Sequence, residues 1–253
     1  CNKFLEGVNM KVGYAFAYHH SDSIRSVGKQ VVKESLESFY DSCEYEFETF
    51  VVDNQSEPRT SFDEAIDMSK EMYDNLNYTY IEDQSKRGLT GAWSDSIKQA
   101  IDAGCDIVIL SGDDINYNKS INNFIDYIKN DPLSDNSVYG PVASGITNGI
   151  QLANEPTGEI FEIKGSVWLQ HLAGHMYGFT KELYHRWAEP NGDLFVVDQH
   201  HNGGDGKWGG NEGCIMCWAE QGTRCVVVGT CQVHHNNLKP QSWKKPRDNE
   251  RGN

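Results

Sequence analysis

Apolar strand-like runs alternate with amphipathic helical patterns over residues 10–116, and this order restricts the fold more than any other feature of the sequence. Strands are predicted at 10–18, 47–52, 78–81 and 107–110. Helices with apolar residues on one face are predicted at 24–39, 63–76 and 92–103. Because strands that alternate with helices form parallel sheets, the sequence predicts an α/β fold with helices on both faces of the sheet.

The pattern changes after residue 116, where shorter elements and turns follow. Helices are predicted at 121–128, 181–187 and 212–221, and strands at 137–144, 159–163, 224–228 and 232–235, with a strand and turn at 168–180. Residues 198–213 contain six glycines and are predicted to form a mobile loop. At 253 residues without an internal repeat, the chain is expected to form one domain with a short appendage.

Two adjacent acids, Asp113 and Asp114, follow the predicted strand 107–110 directly after Ser111 and Gly112. A buried strand that ends in this way places negative charge at the carboxyl edge of the sheet, where open α/β folds bind ligands. Because two unpaired carboxylates repel each other, a divalent cation bound by oxygen ligands is expected to stabilise both. The alternative is that the acids open a turn or cap the next helix.

The formal net charge of -15 argues against a nucleic-acid partner and an anionic membrane surface, since both would repel the protein. The basic segment 239–253 is interpreted as a solvated tail, with contact to anionic phosphates as the alternative. No G-x-G-x-x-G follows the first strand and no P-loop motif occurs, so neither motif is available to hold phosphates. A metal ion at the acid pair is expected to take that role.

Seven cysteines, an odd number, include several within apolar runs, and no stretch resembles a signal peptide or a membrane span. We interpret the cysteines as mostly reduced, which predicts a cytoplasmic protein. Cys214 and Cys217 form a C-x-x-C that favours buried thiols over a zinc or redox site, because no second pair at zinc-finger spacing follows. Residues 1–9 are interpreted as an extension or an artificial start.

Five short segments carry polar or charged residues in a set order: 50–56 (FVVDNQS), 86–92 (KRGLTGA), 110–114 (LSGDD), 208–212 (WGGNE) and 231–235 (CQVHH). They are similar to a strand ending in V-D-x-x-S, a basic glycine-containing loop, the L-D-x-D-D form of the D-x-D motif, a W-G-G-E-[DN] segment and a late V-x-H segment. The set resembles the nucleotide-sugar glycosyltransferases of the GT-A fold, most nearly the inverting family two, with similarity to the polypeptide N-acetylgalactosaminyltransferases.

The resemblance covers roughly residues 10–235 and implies a GT-A fold, a Rossmann-like mixed sheet with helices on both faces in a single domain. Residues 10–116 would form the nucleotide-sugar-binding half and 117–238 the acceptor-binding and catalytic half, before the basic tail 239–253. It also implies that Asp53 and Ser56 contact the nucleoside, and that Lys86, Arg87 and Gly88 lie near the diphosphate. The alternatives are ordinary turn residues and a solvated loop.

The metal site implied by the resemblance contains Asp113 and Asp114, with Asp113 the better ligand by position. His235 is the expected third ligand and His234 its competitor, because successive residues of a strand point in opposite directions. The alternative is a histidine pair at the end of an exposed strand. Ser111 departs from the family pattern, since it stands where the first Asp of the D-x-D motif would be.

Glu212 is expected to be the general base that takes a proton from the acceptor hydroxyl, with a helix-capping role as the alternative. The family usually has adjacent acids here, but Gly213 follows, so Glu212 is the one carboxylate available in this segment. Trp168, His175 and Trp208 are candidate acceptor contacts, because aromatic faces stack on sugar rings; core positions are the alternative for each.

These features predict a metal-dependent inverting glycosyltransferase that uses Mn²⁺ or Mg²⁺. It would move a sugar from a nucleoside-diphosphate sugar to a hydroxyl acceptor such as a glycan. A sugar-phosphate nucleotidyltransferase is one alternative, although it usually has a glycine-rich basic signature after the first strand. A catalytically degenerate GT-A module that binds a sugar is another. A polymerase palm also carries Gly-Asp-Asp, but this chain is short and acidic for a nucleic-acid enzyme.

Overall fold

A nine-stranded mixed sheet forms the centre of the computed structural model, which describes residues 10–20, 28–54, 56–66, 75–81, 88–144, 160–163, 172, 175–191 and 222–236. The strands are β1 (Val12–Tyr18), β2 (Phe47–Asn54), β3 (Leu76–Ile81), β4 (Ile107–Ser111), β5 (Ile115–Asn116), β6 (Ser137–Ser144), β7 (Ile160–Ile163), β8 (Met176–Thr180) and β9 (Arg224–His235). Eight of them follow the order β3-β2-β1-β4-β8-β6-β9-β5, and β7 pairs with β9.

The sheet combines a parallel half with an antiparallel half. Strands β3, β2, β1 and β4 are all parallel, as the alternation of strands and helices predicts. Strand β8 then joins β4 and β6 in antiparallel pairing, and β9 pairs parallel with β6 and antiparallel with β5 and β7. The prediction of a mixed α/β sheet is therefore confirmed, and β4 lies where the two halves meet.

Five α-helices lie in the described part of the chain: α1 (Gly28–Ser42), α2 (Ser61–Ile66), α3 (Gly88–Asp102), α4 (Ser120–Asn130) and α5 (Lys181–Asn191). A 3-10 turn covers Ser134–Asn136. None of the helices in these ranges is long and apolar enough to cross a membrane.

Two apolar clusters cover the two faces of the sheet. Helices α3 and α5 pack on one face, where residues such as Trp93, Ile97 and Trp187 are buried with Val108 and Leu110 of β4. Helices α1, α2 and α4 pack on the other face, where the neighbouring β4 residues contribute instead. Alternate residues of the same strand thus enter different clusters, which is the side-chain pattern of a strand buried on both faces.

Several predicted boundaries differ from the structure, and three of these differences change the type or number of elements. Leu76 was predicted to end a helix but begins β3, because Asn75 pairs with β2: its carbonyl accepts from the Thr49 N–H at 2.9 Å and its side chain donates to the Phe47 carbonyl at 2.7 Å. Residues 88–90, predicted as a loop, belong to α3. Residues 224–228 and 232–235, predicted as two strands, are one strand, β9.

Gly178 of β8 lies beneath helix α4, and its missing side chain allows the close approach. A Cβ there would lie 2.6 Å from Ile128 Cδ1 and would also overlap the ring of Phe124. We expect Gly178→Ala to lower the free energy of unfolding by about 1–3 kcal/mol, the usual cost of overpacking a core. Urea unfolding measures this change.

A second substitution tests the cause of that loss. Phe124→Leu makes room above Gly178, so the double variant is expected to lose less stability than the sum of the two single losses. Strictly additive losses would show that crowding against Phe124 is not the cause.

Candidate active site

The carboxyl ends of β2 and β4 meet the end of β1 at one edge of the sheet. Tyr18 of β1 is in register with Asp53 of β2, and Phe16 is in register with Ser111 of β4. Asp53 and the acid pair after Ser111 therefore lie at the same edge, two strands apart, at about 10 Å for two strand spacings. This is the edge at which open α/β sheets bind ligands.

The turn after β4 is tied to the segment before β8. The Gly112 N–H donates to the His175 carbonyl at 2.8 Å. A Cβ on Gly112 would lie 2.9 Å from Asp114 Oδ1, so the absence of a side chain at Gly112 lets the Asp114 carboxylate fold back over the turn. Asp113 is 8% exposed, which makes it a buried acid and not a solvated turn residue.

Asp114 contacts an imidazole from the far end of the chain. Its Oδ1 lies 3.3 Å from His235 Nε2. Strand β5 creates this contact, because Ile115 pairs with His235 in antiparallel register and the Asn236 N–H donates to the Asp114 carbonyl at 2.8 Å. A carboxylate and an imidazole that are 121 residues apart in the sequence thus share one site.

The two neighbouring histidines of β9 face different surroundings, as the alternation of a strand predicts. His235 faces Asp114, whereas His234 Nδ1 lies 2.6 Å from Ser144 Oγ on β6. The structure therefore brings His235 and not His234 against the acid pair. It also pairs the imidazole with Asp114, although Asp113 was expected to be the better ligand.

His175 lies next to this pair and is buried, with 6% of its surface exposed. Its ring centroid is 6.1 Å from that of His235, with the ring planes inclined at 50°. Burial and the neighbouring His235 lower the pKa of His175 to about 3, against the opposing effect of Asp114. The imidazole is therefore neutral at physiological pH. Neither of its ring nitrogens has a hydrogen-bond partner among the residues that the structure describes.

Asp53 is fully buried and held by two hydrogen bonds. Its Oδ1 accepts from the Ser56 N–H at 2.8 Å, and its Oδ2 accepts from the Tyr78 hydroxyl at 2.8 Å. The Ser56 hydroxyl oxygen in turn accepts from the His20 N–H at 2.9 Å. Tyr78 was not among the predicted site residues, because it carries no motif and reaches Asp53 only through the pairing of β3 with β2.

The surroundings of Ser111 explain why this position carries serine and not the aspartate of the D-x-D motif. It is 1% exposed, accepts from the Tyr117 hydroxyl at 2.5 Å and donates to the Gly112 carbonyl at 2.8 Å. It shares a face of β4 with Ile107 and Ile109, in the cluster that contains Tyr14. An ionised Asp at this position would lie among apolar and aromatic side chains, where an uncompensated charge is costly.

Tyr78 offers a test of how Asp53 is held. If Asp53 contacts a nucleoside diphosphate, as the sequence predicts, we expect Tyr78→Phe to weaken its binding about fivefold, roughly 1 kcal/mol, because Asp53 loses one of the donors that fix its orientation. Tyr80→Phe is the matched control, since the Tyr80 hydroxyl lies 3.4 Å from the Ser56 carbonyl and does not contact Asp53. Calorimetric titration of both variants measures the difference, and equal losses would argue against the role of Tyr78.

Most of the remaining predicted site residues lie outside the ranges that the structure describes. Gly88 begins helix α3 and is not part of a loop. Five residues lie outside the described ranges: Lys86, Arg87, Trp168, Trp208 and Glu212. Within the described ranges, no group of three or more His, Cys, Asp or Glu side chains is arranged to hold a metal ion.

Three solved structures illustrate what the chain is similar to. The crystal structure of S. aureus TarS 1–349 has a TM-score of 0.60 at 16% identity and covers 89% of this chain and 60% of its own. TarS 1–349 in complex with UDP-GlcNAc has a TM-score of 0.57 at 15% identity, covering 92% and 61%. GalNAc-T7 with UDP, GalNAc and Mn²⁺ has a TM-score of 0.62 at 14% identity, covering 89% and 43%.

These similarities show the fold, and the prediction of a GT-A fold is confirmed. The chain spans about 60% of the TarS fragment and 43% of the GalNAc-T7 chain. No curated protein sequence matches it. The family model described as Glycosyl transferase family 2 matches residues 25–193, which is more than half of the chain. The chain therefore belongs to glycosyl transferase family 2.

Proposed function

We propose that this protein is a metal-dependent inverting glycosyltransferase that moves a sugar from a nucleoside-diphosphate sugar to a hydroxyl acceptor. The contact between Asp114 and His235 carries the proposal, because it assembles a carboxylate and an imidazole at the ligand-binding edge of a GT-A sheet. Family membership supports the transferase class. The UDP and UDP-GlcNAc complexes of TarS support a nucleotide sugar as the donor.

The side chains present fit a divalent cation. Asp114 and His235 would hold it, because carboxylate oxygen and neutral imidazole nitrogen are both ligands of Mn²⁺. The buried Asp113, next to Asp114 in the chain, is the further candidate. Two or three protein ligands suffice, because ions in phosphate sites take further ligands from the substrate and from water. The GalNAc-T7 structure, which contains UDP and Mn²⁺, supports Mn²⁺ as the first ion to test. When bound, the ion would neutralise charge on the departing diphosphate.

Asp53 is assigned to the nucleoside. Each of its oxygens already accepts one hydrogen bond, from Ser56 or from Tyr78, and each retains a lone pair that can accept a donor from the ligand. Both bonds fix the carboxylate before the ligand arrives, so little conformational freedom is lost on binding. Lys86 and Arg87 are proposed to contact the diphosphate, where a charge-assisted hydrogen bond is strong.

The acceptor side is proposed to depend on Glu212. As a carboxylate it would accept the proton of the acceptor hydroxyl while that oxygen attacks the anomeric carbon and the bond to the diphosphate breaks. A single displacement of this kind inverts the configuration at the sugar. The glycine-rich segment before Glu212 would exclude water that otherwise hydrolyses the donor. Trp168 and Trp208 are proposed to contact the acceptor sugar.

A panel of nucleotide sugars, incubated with the protein and Mn²⁺, tests the proposal. We expect slow release of a nucleoside diphosphate with one donor, faster release once a suitable acceptor is added, and loss of both when the ion is chelated. Exchange of pyrophosphate into the nucleotide sugar would instead show a nucleotidyltransferase. No reaction with any donor, combined with sugar binding, would show a catalytically degenerate module.

The cysteines support the further proposal that the protein works in the cytoplasm. The four cysteines in the described ranges, Cys43, Cys105, Cys225 and Cys231, are free. Burial raises the pKa of the Cys225 and Cys231 thiols to about 12, so both are protonated and poorly reactive. Free, unreactive thiols are typical of proteins in a reducing compartment.

A further inference from the structure

His175 is a buried polar side chain that makes no hydrogen bond to any residue that the structure describes. Only 6% of it is exposed, and both ring nitrogens lack a partner within the described part of the chain. Buried polar atoms in native proteins are nearly always hydrogen-bonded, because an unsatisfied one costs free energy of folding. A leucine or methionine at this position would avoid that cost. His175 is the one residue in the described ranges with two such atoms, and this points to a ligand.

The surroundings of His175 restrict what that ligand can be. The imidazole is 6.1 Å from the His235 ring, measured between centroids, and its backbone carbonyl accepts from Gly112 in the acid turn. The side chains of Asp114 and His235 are 23% and 22% exposed, so the pair borders solvent and lies next to the buried ring. A ligand that reaches His175 from this side also contacts the Asp114–His235 pair.

A neutral imidazole provides one N–H donor and one acceptor nitrogen. An oxygen of a diphosphate can accept that N–H. Direct metal binding by His175 is less well supported, because its side chain does not complete a three-residue cluster with its neighbours in the described ranges.

We propose that His175, which the sequence suggested as an acceptor contact, is instead a donor-binding residue that donates its ring N–H to a diphosphate oxygen beside the cation that Asp114 and His235 would hold. The inference rests on the proposed function, since it assigns a further residue to the same donor site. It also gives a reason for the unsatisfied imidazole: a bound ligand would supply the partner that the described residues do not.

Calorimetric titration with inorganic pyrophosphate in the presence of Mn²⁺ tests this contact without knowledge of the donor sugar. His175→Leu removes both polar atoms at similar volume, and we expect pyrophosphate affinity to fall at least about tenfold, the loss expected for a hydrogen bond to a charged group. His175→Gln keeps an N–H donor and is expected to retain more affinity than the leucine variant. His185→Leu on the exposed face of α5 is the matched control.

Thermal unfolding separates a ligand role from a structural one. Because His175→Leu removes two unsatisfied polar atoms, its Tm is expected to equal or exceed that of the unchanged protein. Unchanged pyrophosphate affinity in the leucine variant would overturn the inference while leaving the proposed function intact. Absence of Mn²⁺-dependent pyrophosphate binding in the unchanged protein would instead overturn the proposed metal and diphosphate site.

A measurement on the unchanged protein covers the case in which the leucine variant does not fold. With ¹⁵N-labelled histidine, addition of Mg²⁺ and pyrophosphate is expected to shift the ring nitrogen resonances of His175, assigned by their absence from the glutamine variant. A spectrum in which the His235 resonances move and those of His175 do not would contradict the contact.

Discussion

Replacing Asp114 with asparagine is expected to lower turnover at least about 100-fold and to remove the dependence of donor binding on a divalent cation. Asparagine keeps the size of the side chain but loses the negative charge that would attract the proposed ion. The geometry selects Asp114 for this test, because its Oδ1 lies 3.3 Å from His235 Nε2 and folds over Gly112. Titration with UDP, with and without Mn²⁺, measures the binding.

Two further substitutions complete this experiment. Asp113→Asn is expected to have a smaller effect on ion binding, because the structure pairs the imidazole with Asp114. Asp102→Asn is the control outside the site, at the exposed end of α3, where Asp102 makes an ion pair with Lys98. If Asp114→Asn bound UDP and Mn²⁺ normally while Asp113→Asn did not, the ligand would be Asp113, as its position in the sequence suggests.

Local sequence patterns predicted the strands and helices well wherever burial decides the outcome. The run 107–110 is apolar because β4 is buried on both faces, and Ile121, Phe124, Ile125 and Ile128 follow the helical period because α4 covers the sheet. The errors arose where hydrogen bonds between distant strands determine the secondary structure. Leu76 was assigned to a helix on its apolar spacing, yet hydrogen bonds between Asn75 and β2 place it in a strand.

The sequence predicted which residues lie near the candidate site but not which of their side chains contact each other. Asp53 and the acid pair stand at the ends of predicted parallel strands, so their shared edge follows from the sequence. The contact of His235 with Asp114 instead of Asp113 could not be predicted from the sequence. It depends on strand β5, which has two residues and no recognisable sequence pattern. The burial of His175 also depends on which strands become neighbours in the antiparallel half of the sheet.

Glu212→Gln is expected to leave the affinity for UDP and Mn²⁺ intact and to lower turnover at least about 100-fold. The reason is that glutamine keeps the shape of the side chain but cannot accept the proton of the attacking hydroxyl. The effect thus differs in kind from that of Asp114→Asn, which removes ion-dependent donor binding. Measuring donor affinity and turnover on the same preparation separates the two roles.

The matched control is Glu182→Gln on the exposed side of α5, which is expected to behave as the unchanged protein. A second measurement follows donor hydrolysis without an acceptor. If Glu212 acts on the acceptor hydroxyl alone, Glu212→Gln is expected to slow sugar transfer more than donor hydrolysis. The reason is that an attacking water molecule can lose its proton to solvent or to another base. Near-normal transfer by this variant would place the base on another residue. If Glu212→Gln lost as much donor affinity as Asp114→Asn, Glu212 would be assigned to the donor site with Asp114 and His235.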